Sequence, residues 1–269
     1  MTIKSVLDSA TIKLNQAGIG SARLDSELLM AHVLEKDRTY VIAHSDDLLP
    51  ETAFDQYLVL IEKRSTRTPL VHLTNYREFY GLTLAVDDTV LTPRVETEQM
   101  AAWAIDLAPQ SSHLIDIGTG SGAIALAIAT HRPDLAIVAT EVSEAALETA
   151  HHNATTLGLN TEFIQSDLFE SVDGYFETIV TNLPYLQDGV ELMPEVAKEP
   201  AVALYGGPGD GLDLYRRFLS QLPEHLSPGG LLFTECDPWQ QPDLIAEAQS
   251  IGLTVIRQDY FILGFRYAG

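Results

Sequence analysis

The feature that most constrains the fold is an alternation of short apolar segments with helical segments, which begins at about residue 93. Short apolar strands separated by helices are typical of a mostly parallel sheet that is covered on both faces. Residues 93–269 are therefore predicted to form one α/β domain. The predicted strands are His113–Ile117, Leu135–Thr140, Thr161–Gln165, Glu177–Thr181, Leu231–Glu235, Thr254–Arg257 and Phe261–Arg266.

Residues 1–75 show a different pattern, in which apolar side chains recur at helical spacing, as in Val6, Ala10, Leu14 and Ala17. This pattern predicts a small helical domain. Residues 76–92 then change to alternation, with Leu82, Leu84 and Val86, an Asp87-Asp88 turn, and a return at Val90-Leu91. This segment is predicted to be a β-hairpin that joins the two domains.

The charge limits the classes of partner. The chain has 38 acidic and 16 basic residues and a formal net charge of −22. Such a chain repels phosphate backbones, whereas nucleic-acid-binding proteins usually carry a basic face. No nucleic-acid partner is therefore expected, although the acidity could equally serve solubility or a saline habitat.

The remaining composition predicts a cytoplasmic protein. A single cysteine, Cys236, permits no internal disulfide and no metal cluster. No apolar run approaches the roughly 20 residues that span a bilayer, and the N-terminal segment lacks the apolar core of a signal peptide. We therefore expect no metal and no membrane association.

A glycine loop follows the first predicted strand of the α/β domain. Asp116 precedes Gly118, Thr119, Gly120, Ser121 and Gly122, and a helix begins there. Glycines let the backbone approach a ligand closely, and ligands of open α/β sheets bind at the carboxyl ends of strands. The spacing is not that of the dinucleotide fingerprint; it resembles motif I of class I methyltransferases. A structural turn and a nicotinamide site remain alternatives.

Two acidic residues follow the next two strands. Glu141 stands where a carboxylate can accept hydrogen bonds from two ribose hydroxyls, and Asp167-Leu168 follows the third strand. In class I methyltransferases, which this pattern resembles, an acid at the second place binds the adenine amino group. Asp167 could equally be a solvated loop residue.

The strand Glu177–Thr181 leads into Asn182-Leu183-Pro184-Tyr185, which resembles the N-P-P-Y motif of methyltransferases that act on planar nitrogens. An amide nitrogen is a poor nucleophile because its lone pair is delocalised. The Asn182 side-chain oxygen and the Leu183 carbonyl can accept its two hydrogens, which would aim the lone pair and stabilise the developing charge. Tyr185 can pack against the planar group. Leu183 replaces the first proline, so the ring that fixes φ is lost while the carbonyl is kept.

Taken together, these segments resemble the HemK/PrmC family of protein-(glutamine-N5) methyltransferases over nearly the whole chain. The family's other matching segments are Ala22–Leu29, Arg77–Gly81, Leu91–Glu98 and the block from Glu199-Pro200 through Asp210-Gly211-Leu212; Val95 stands at a position where the family usually has proline. The resemblance implies a Rossmann-like class I sheet and S-adenosyl-L-methionine as cofactor, bound by Gly118–Gly122, Glu141, Asp167, Leu168 and Asn182. It also implies that Phe79 and Arg94 shape the cofactor pocket; a place in the core of the hinge is the alternative for Phe79.

By the same resemblance, the substrate is the glutamine of the Gly-Gly-Gln loop in class 1 peptide chain release factors, and the N-terminal helices bind the release factor. We expect a monomer. The alternatives are glutamine methylation of a ribosomal protein, N6-adenine methylation of nucleic acid, and a non-catalytic binding module in which Leu183 marks decay.

Overall fold

The computed structural model describes all of residues 1–269 and divides them into two compact units. Unit 1 consists of Met1–Tyr76 and the distant segment Leu192–Lys198, and unit 2 consists of Arg77–Glu191 and Glu199–Gly269. The α/β class with a helical N-terminal domain is thereby confirmed, whereas the sequence pattern did not predict that residues 192–198 would belong to unit 1. No helix is long and apolar enough to cross a membrane.

Unit 1 is a helical bundle. Its apolar core includes Leu7, Leu14, Leu29, Met30 and Tyr57, all nearly inaccessible to solvent. The buried Tyr57 hydroxyl donates a hydrogen bond to the Ser26 carbonyl oxygen at 3.1 Å. The helices are α1 Ile3–Gln16, α2 Ala22–Leu34, α3 Arg38–Ala43, α4 Glu51–Ser65 and α5 Leu70–Thr74.

A buried ion-pair cluster attaches the segment Leu192–Lys198 to the helices of unit 1. The Arg64 guanidinium on α4 lies 2.7 Å from Asp25 and 3.0 Å from Glu195, and Arg67 lies 2.8 Å from the second Glu195 oxygen. Lys198 adds a hydrogen bond to the Thr66 carbonyl. Because Arg64 is almost fully buried, its guanidinium loses most of its hydration, and the two carboxylate partners offset that desolvation cost.

The hairpin differs from its prediction. Strands β1 Tyr76–Phe79 and β2 Leu82–Ala85 pair with each other and turn at Tyr80-Gly81. Both turn residues have positive φ, 48° and 77°, as a tight two-residue hairpin turn requires. The chain after β2 does turn next to the expected Asp87-Asp88 position, at Asp88-Thr89, where the Asp87 carboxylate accepts from the Thr89 backbone N–H. No strand follows at Val90-Leu91, so this turn does not close a hairpin.

Unit 2 is built on a seven-stranded sheet in the order β10-β11-β9-β6-β3-β4-β5. The five strands from β9 to β5 run parallel, and β11 is antiparallel to both of its neighbours. The strands are β3 His113–Ile117, β4 Ala136–Glu141, β5 Glu162–Gln165, β6 Phe176–Thr181, β9 Leu226–Glu235, β10 Leu253–Gln258 and β11 Ile262–Tyr267; a separate two-stranded sheet pairs β7 Leu186–Gln187 with β8 Tyr205–Gly207.

Both faces of the central strands β3, β6 and β9 are buried, which explains why these strands are mostly apolar without alternation. On β3, Leu114 packs into one core and its neighbour Ile115 into the other. The same division separates Ile179 from Val180 on β6. The helices of unit 2 are α6 Glu98–Leu107, α7 Ala123–His131, α8 Glu144–Leu157, α9 Asp213–Gln221 and α10 Gln241–Ser250.

The strand order places the switch point of the sheet at β3. The chain continues from β3 to β4 and β5 on one side, and β6 then pairs with the other side of β3. Crevices at such points are where ligands bind in open α/β sheets. The glycine loop follows β3, and Asn182 follows β6, so both stand at this crevice.

Candidate active site

A cavity opens at the carboxyl ends of β3 and β6. It contains about 580 Å³ of empty space, part of it open to solvent. Its walls combine the glycine loop, the Asn182 segment and the chain that leads into α6. The lining residues are Phe79, Leu91, Pro93, Arg94, Thr97, Gly118, Thr119, Gly120, Ser121, Ala123, Ile124, Asn182, Pro184 and Ala203.

The glycine loop is held by a buried carboxyl group. Asp116 Oδ2 accepts from the Thr119 hydroxyl at 2.7 Å and from the Ala125 backbone N–H at 3.2 Å, so it ties the loop to the first turn of α7. Asp116 Oδ1 is buried and has no partner. Burial, reinforced by the charge of Glu141, raises the pKa of Asp116 to about 7.

Two positions of this loop require glycine. Gly122 has a φ of 83°, and a Cβ there would lie 3.0 Å from Leu126 Cδ1 and 3.4 Å from the Ala150 methyl group. Gly118 has a φ of 74°, and its added Cβ would lie 3.3 Å from Leu183 Cδ2. The loop therefore sits directly against both α8 and the Asn182 segment.

Glu141 faces the loop from the end of β4. Its Oε2 accepts from the Gly120 N–H at 3.0 Å, and its Oε1 accepts from the N–H groups of Val142 and Ser143 at 2.9 and 3.0 Å. A carboxylate offers about four acceptor positions; three are taken by these N–H groups, so Glu141 retains about one for a hydroxyl donor from a ligand. It also connects the glycine loop to the start of α8.

Asp167 and Leu168 are placed differently from the other predicted residues. The Asp167 carboxylate pairs with Arg217 at 2.8 Å. Leu168 has a φ of 54° and is buried in the core between the sheet and α9. Neither residue lines the cavity.

The Asn182–Tyr185 segment presents two unused acceptors. Asn182 Nδ2 donates to the Thr97 hydroxyl at 3.3 Å. The Asn182 Oδ1 atom and the Leu183 carbonyl oxygen accept no hydrogen bond within the chain. The Leu183 side chain, only 3% exposed, packs into the core. Leu183 can therefore act towards a ligand only through its backbone.

Close backbone packing supports this segment from behind. A Cβ at Gly206 would lie 2.4 Å from the Pro184 carbonyl oxygen, and one at Gly211 would lie 2.3 Å from the Tyr185 carbonyl oxygen. Gln240 Nε2 donates to that same Tyr185 oxygen at 2.8 Å and to the Asp210 carbonyl at 2.6 Å. Gln240 was not identified from the sequence, because a lone glutamine after a strand carries no specific signal.

Glu235 is a further site residue that the sequence analysis did not identify. It ends β9 and is 3% exposed. Its Oε2 accepts from the Thr97 hydroxyl at 2.6 Å, and its Oε1 accepts from the Tyr185 hydroxyl at 3.2 Å. Burial raises the pKa of Glu235, and burial next to this carboxyl group also raises the pKa of Tyr185. The available signal was an acidic residue at the end of an otherwise apolar strand.

Arg94 reaches the cavity and is anchored by a buried acid. Its guanidinium lies 2.5 Å from Glu199, which is 7% exposed. Phe79, also buried, lines the same cavity. Both residues were expected to shape the pocket by resemblance alone.

Family comparisons match both units. A model described as the PrmC N-terminal domain matches residues 5–74, and a model described as the methyltransferase small domain matches residues 100–201. The release factor glutamine methyltransferase of Deinococcus radiodurans is 36% identical over 260 residues, which is 94% of this chain and 92% of the relative. That of Mycolicibacterium smegmatis is 39% identical over 242 residues, with 87% and 84% covered.

Solved structures show the same fold at low identity. A methyltransferase from Pyrococcus furiosus has a TM-score of 0.55 at 17% identity, with 80% of this chain and 98% of that chain covered. The Thermus thermophilus 16S rRNA N2 G1207 methyltransferase, solved with AdoMet and guanosine, has a TM-score of 0.54 at 16% identity, with 71% and 49% covered.

Proposed function

This chain belongs to the family of release factor glutamine methyltransferases, and we propose that Asn182 and Leu183 present the substrate glutamine to S-adenosyl-L-methionine in the cavity of unit 2. The enzyme transfers the methyl group to the side-chain amide N5 of the glutamine in the Gly-Gly-Gln motif of class 1 peptide chain release factors.

The observation that carries the proposal is the pair of unused acceptors at Asn182 Oδ1 and the Leu183 carbonyl. A primary amide has two N–H hydrogens in one plane. Two acceptors that take both hydrogens fix that plane and leave one face of the nitrogen directed at the methyl donor. They also stabilise the positive charge that develops on nitrogen during attack. The methylated amide then loses a proton to water, so no buried base is required.

The groups around the cavity suit the chemistry of the cofactor. When bound, S-adenosyl-L-methionine supplies an electrophilic methyl group on a sulfonium. Glu141 is positioned to accept from ribose hydroxyls, and Gly118–Ser121 allow close approach of the backbone. For Asp167 to bind an adenine amino group, its carboxylate would have to share or leave Arg217.

Unit 1 contains none of these groups, and we infer that it binds the release factor. All catalytic candidates lie in unit 2, whereas residues 5–74 match the PrmC N-terminal domain. The partner is thus a protein, and we place the monomeric enzyme in the cytoplasm, where release factors act.

Charge supports a protein substrate over nucleic acid. Unit 2 contains most of the acidic residues of the chain. Every lysine lies in unit 1, so arginines are the only lysine or arginine side chains of unit 2, and unit 2 is strongly negative. Phosphate backbones would be repelled from the catalytic unit. A ribosomal-protein glutamine offers the same planar amide and remains the second candidate for the test.

The test incubates the protein with methyl-labelled cofactor and, separately, a class 1 release factor, ribosomal proteins and DNA. We expect label only on the release factor, with mass spectrometry locating it on the Gly-Gly-Gln glutamine.

Asn182→Ala should lower turnover on the order of 10²–10³-fold, with a much smaller change in cofactor affinity. Label on another residue or on DNA would refute the assignment.

A further inference from the structure

A hydrogen-bonded chain of side chains runs behind the Asn182 amide. Asn182 Nδ2 donates to the Thr97 hydroxyl at 3.3 Å, and that hydroxyl donates to Glu235 Oε2 at 2.6 Å. The other carboxylate oxygen accepts from the Tyr185 hydroxyl at 3.2 Å. Thr97 and Glu235 are 4% and 3% exposed, so water does not compete for these bonds.

We propose that Thr97 and Glu235 are positioning residues, which determine that the Asn182 side chain presents its oxygen and not its nitrogen to the substrate amide. The proposal rests on the proposed function of Asn182 as an acceptor. It concerns residues that the motif itself does not contain, and they reach the site from the entry to α6 and from the end of β9.

The direction of the chain follows from the chemistry of its members. A primary amide presents an acceptor and a donor that are nearly equal in size, so packing alone does not choose between its two orientations. Both oxygens of Glu235 accept, from the hydroxyls of Thr97 and Tyr185, and a hydroxyl has one proton to donate. Because the Thr97 proton is directed to Glu235, only lone pairs of Thr97 face Asn182. The Asn182 NH₂ group must therefore point at Thr97, and Oδ1 is left for the substrate.

The same carboxylate fixes the second side of the motif. The hydroxyl of Tyr185 is bound to Glu235 Oε1, so its ring is held in one position beside the acceptors. The Tyr185 backbone carbonyl is held independently by Gln240. Glu235 thus connects the first and last residues of Asn182–Tyr185, through the hydroxyls of Thr97 and Tyr185 and through its own side-chain hydrogen bond with Asn182.

Paired substitutions at Thr97 separate positioning from packing. Thr97→Val keeps the β-branched shape and removes the hydroxyl, whereas Thr97→Ser keeps the hydroxyl. We expect Thr97→Val to lower kcat on release factor on the order of 10- to 100-fold, since a misdirected group costs rate more than binding. The KM for release factor and the Kd for cofactor should change by less than about threefold. Thr97→Ser should restore most of kcat.

Glu235→Gln provides the second measurement. Glutamine has nearly the same size but offers one acceptor oxygen to two hydroxyl donors, so the chain loses its single direction. The same pattern of lowered kcat and near-constant KM is expected. Thr181→Val is the control, because it deletes a buried threonine hydroxyl whose bond is to the Ile117 backbone carbonyl. It should lower the melting temperature without lowering kcat as Thr97→Val does.

A spectroscopic readout needs no substrate. In ¹⁵N-labelled protein, the side-chain NH₂ resonances of Asn182, assigned by their loss in Asn182→Asp, should shift in Thr97→Val and Glu235→Gln and stay near their wild-type positions in Thr97→Ser. Unchanged resonances, wild-type kcat in Thr97→Val, or equal loss in both Thr97 variants would overturn the positioning role. Failure of the wild type to methylate release factor would instead refute the proposed function and leave the resonance test intact.

Discussion

Gly211 approaches the catalytic motif so closely that a Cβ on it would lie 2.3 Å from the carbonyl oxygen of Tyr185. The contact is between backbones, so no side-chain rotation can relieve it. The backbone at Gly211 therefore supports Pro184-Tyr185 rigidly. The position of Pro184-Tyr185 depends on the absence of a side chain at residue 211.

Gly211→Ala is accordingly expected to lower kcat strongly and to reduce the melting temperature. The matched control is Gly209→Ala. Both glycines have a φ near +77°, but a Cβ at Gly209 meets nothing within 4 Å. Both variants carry the backbone strain, about 1 kcal/mol or more for alanine at positive φ, and only Gly211→Ala displaces Tyr185. Equal activity of the two variants, measured as kcat on release factor, would show that the contact does not matter.

Glu141→Ala should weaken binding of S-adenosyl-L-methionine by about 1–3 kcal/mol, which is roughly 5- to 150-fold in Kd. The variant loses acceptors for the ribose and also releases the Gly120 N–H. Glu144→Ala is the control, because it removes the same charge from an exposed position in the first turn of α8. Titration calorimetry with each variant checks the difference, and a similar Kd for both would contradict the assignment.

The parallel sheet was predictable because its central strands are buried on both faces, so that each contains a short, mostly apolar segment between helices. The start of β9 could not be predicted. Ser227-Pro228-Gly229-Gly230 has the composition of a turn, but in the structure these residues extend the strand back to Leu226. The glycine loop and Asn182 carry local motifs and could be located in the same way. Glu235 and Gln240 belong to no motif. Glu235 had only its place at the end of an apolar strand as a signal, and the partners of both residues are set by the tertiary structure.

The sequence analysis also did not predict the ion pairs between residues that are distant in sequence. Asp167 was assigned to the cofactor from its place after the third strand and the resemblance to class I methyltransferases, and its Arg217 partner on α9 is distant in sequence. Likewise, nothing near Glu195 indicates that it belongs with Arg64 and Arg67 of unit 1. Such pairs are set by tertiary structure, and hydrophobic periodicity does not encode them.

Asp116 should make the stability of the cofactor-free enzyme depend on pH. Its pKa rises from 3.8 to about 7 on folding, so the folded state favours the protonated acid. The resulting stabilisation is fully present below about pH 4 and is lost as pH rises through about 7. The loss amounts to at most about 4 kcal/mol, since one pKa unit is about 1.4 kcal/mol.

The measurement compares wild type with Asp116→Asn, a neutral side chain that can still accept from Thr119 and Ala125. Denaturant unfolding between pH 4 and 8 gives the free energy of unfolding of each. Subtracting one from the other removes the contribution of the other carboxylates. The difference should shift in favour of Asp116→Asn as pH rises, and a difference that is flat with pH would show that Asp116 does not titrate in this range.

Leu183→Pro tests the departure from the family motif. The Leu183 N–H donates no hydrogen bond within the chain, so proline removes none, and the ring restores a fixed φ near −65° while keeping the carbonyl. The cost is the buried leucine side chain, which packs against Gly118 and the core. Leu183→Ala is the matched control, because it loses the same packing without gaining the ring.

If Leu183 is a less constrained equivalent of proline, Leu183→Pro should keep or modestly raise kcat on release factor and exceed Leu183→Ala, even though both variants melt at lower temperature. If Leu183 instead belongs to a reshaped pocket, the ring should abolish activity on the Gly-Gly-Gln glutamine while Leu183→Ala retains some. The two cases differ in the order of the variants, so a comparison of kcat, with mass spectrometry locating the methyl group, decides between them. A methyl group on any residue other than that glutamine would overturn the substrate assignment even where the rate survives.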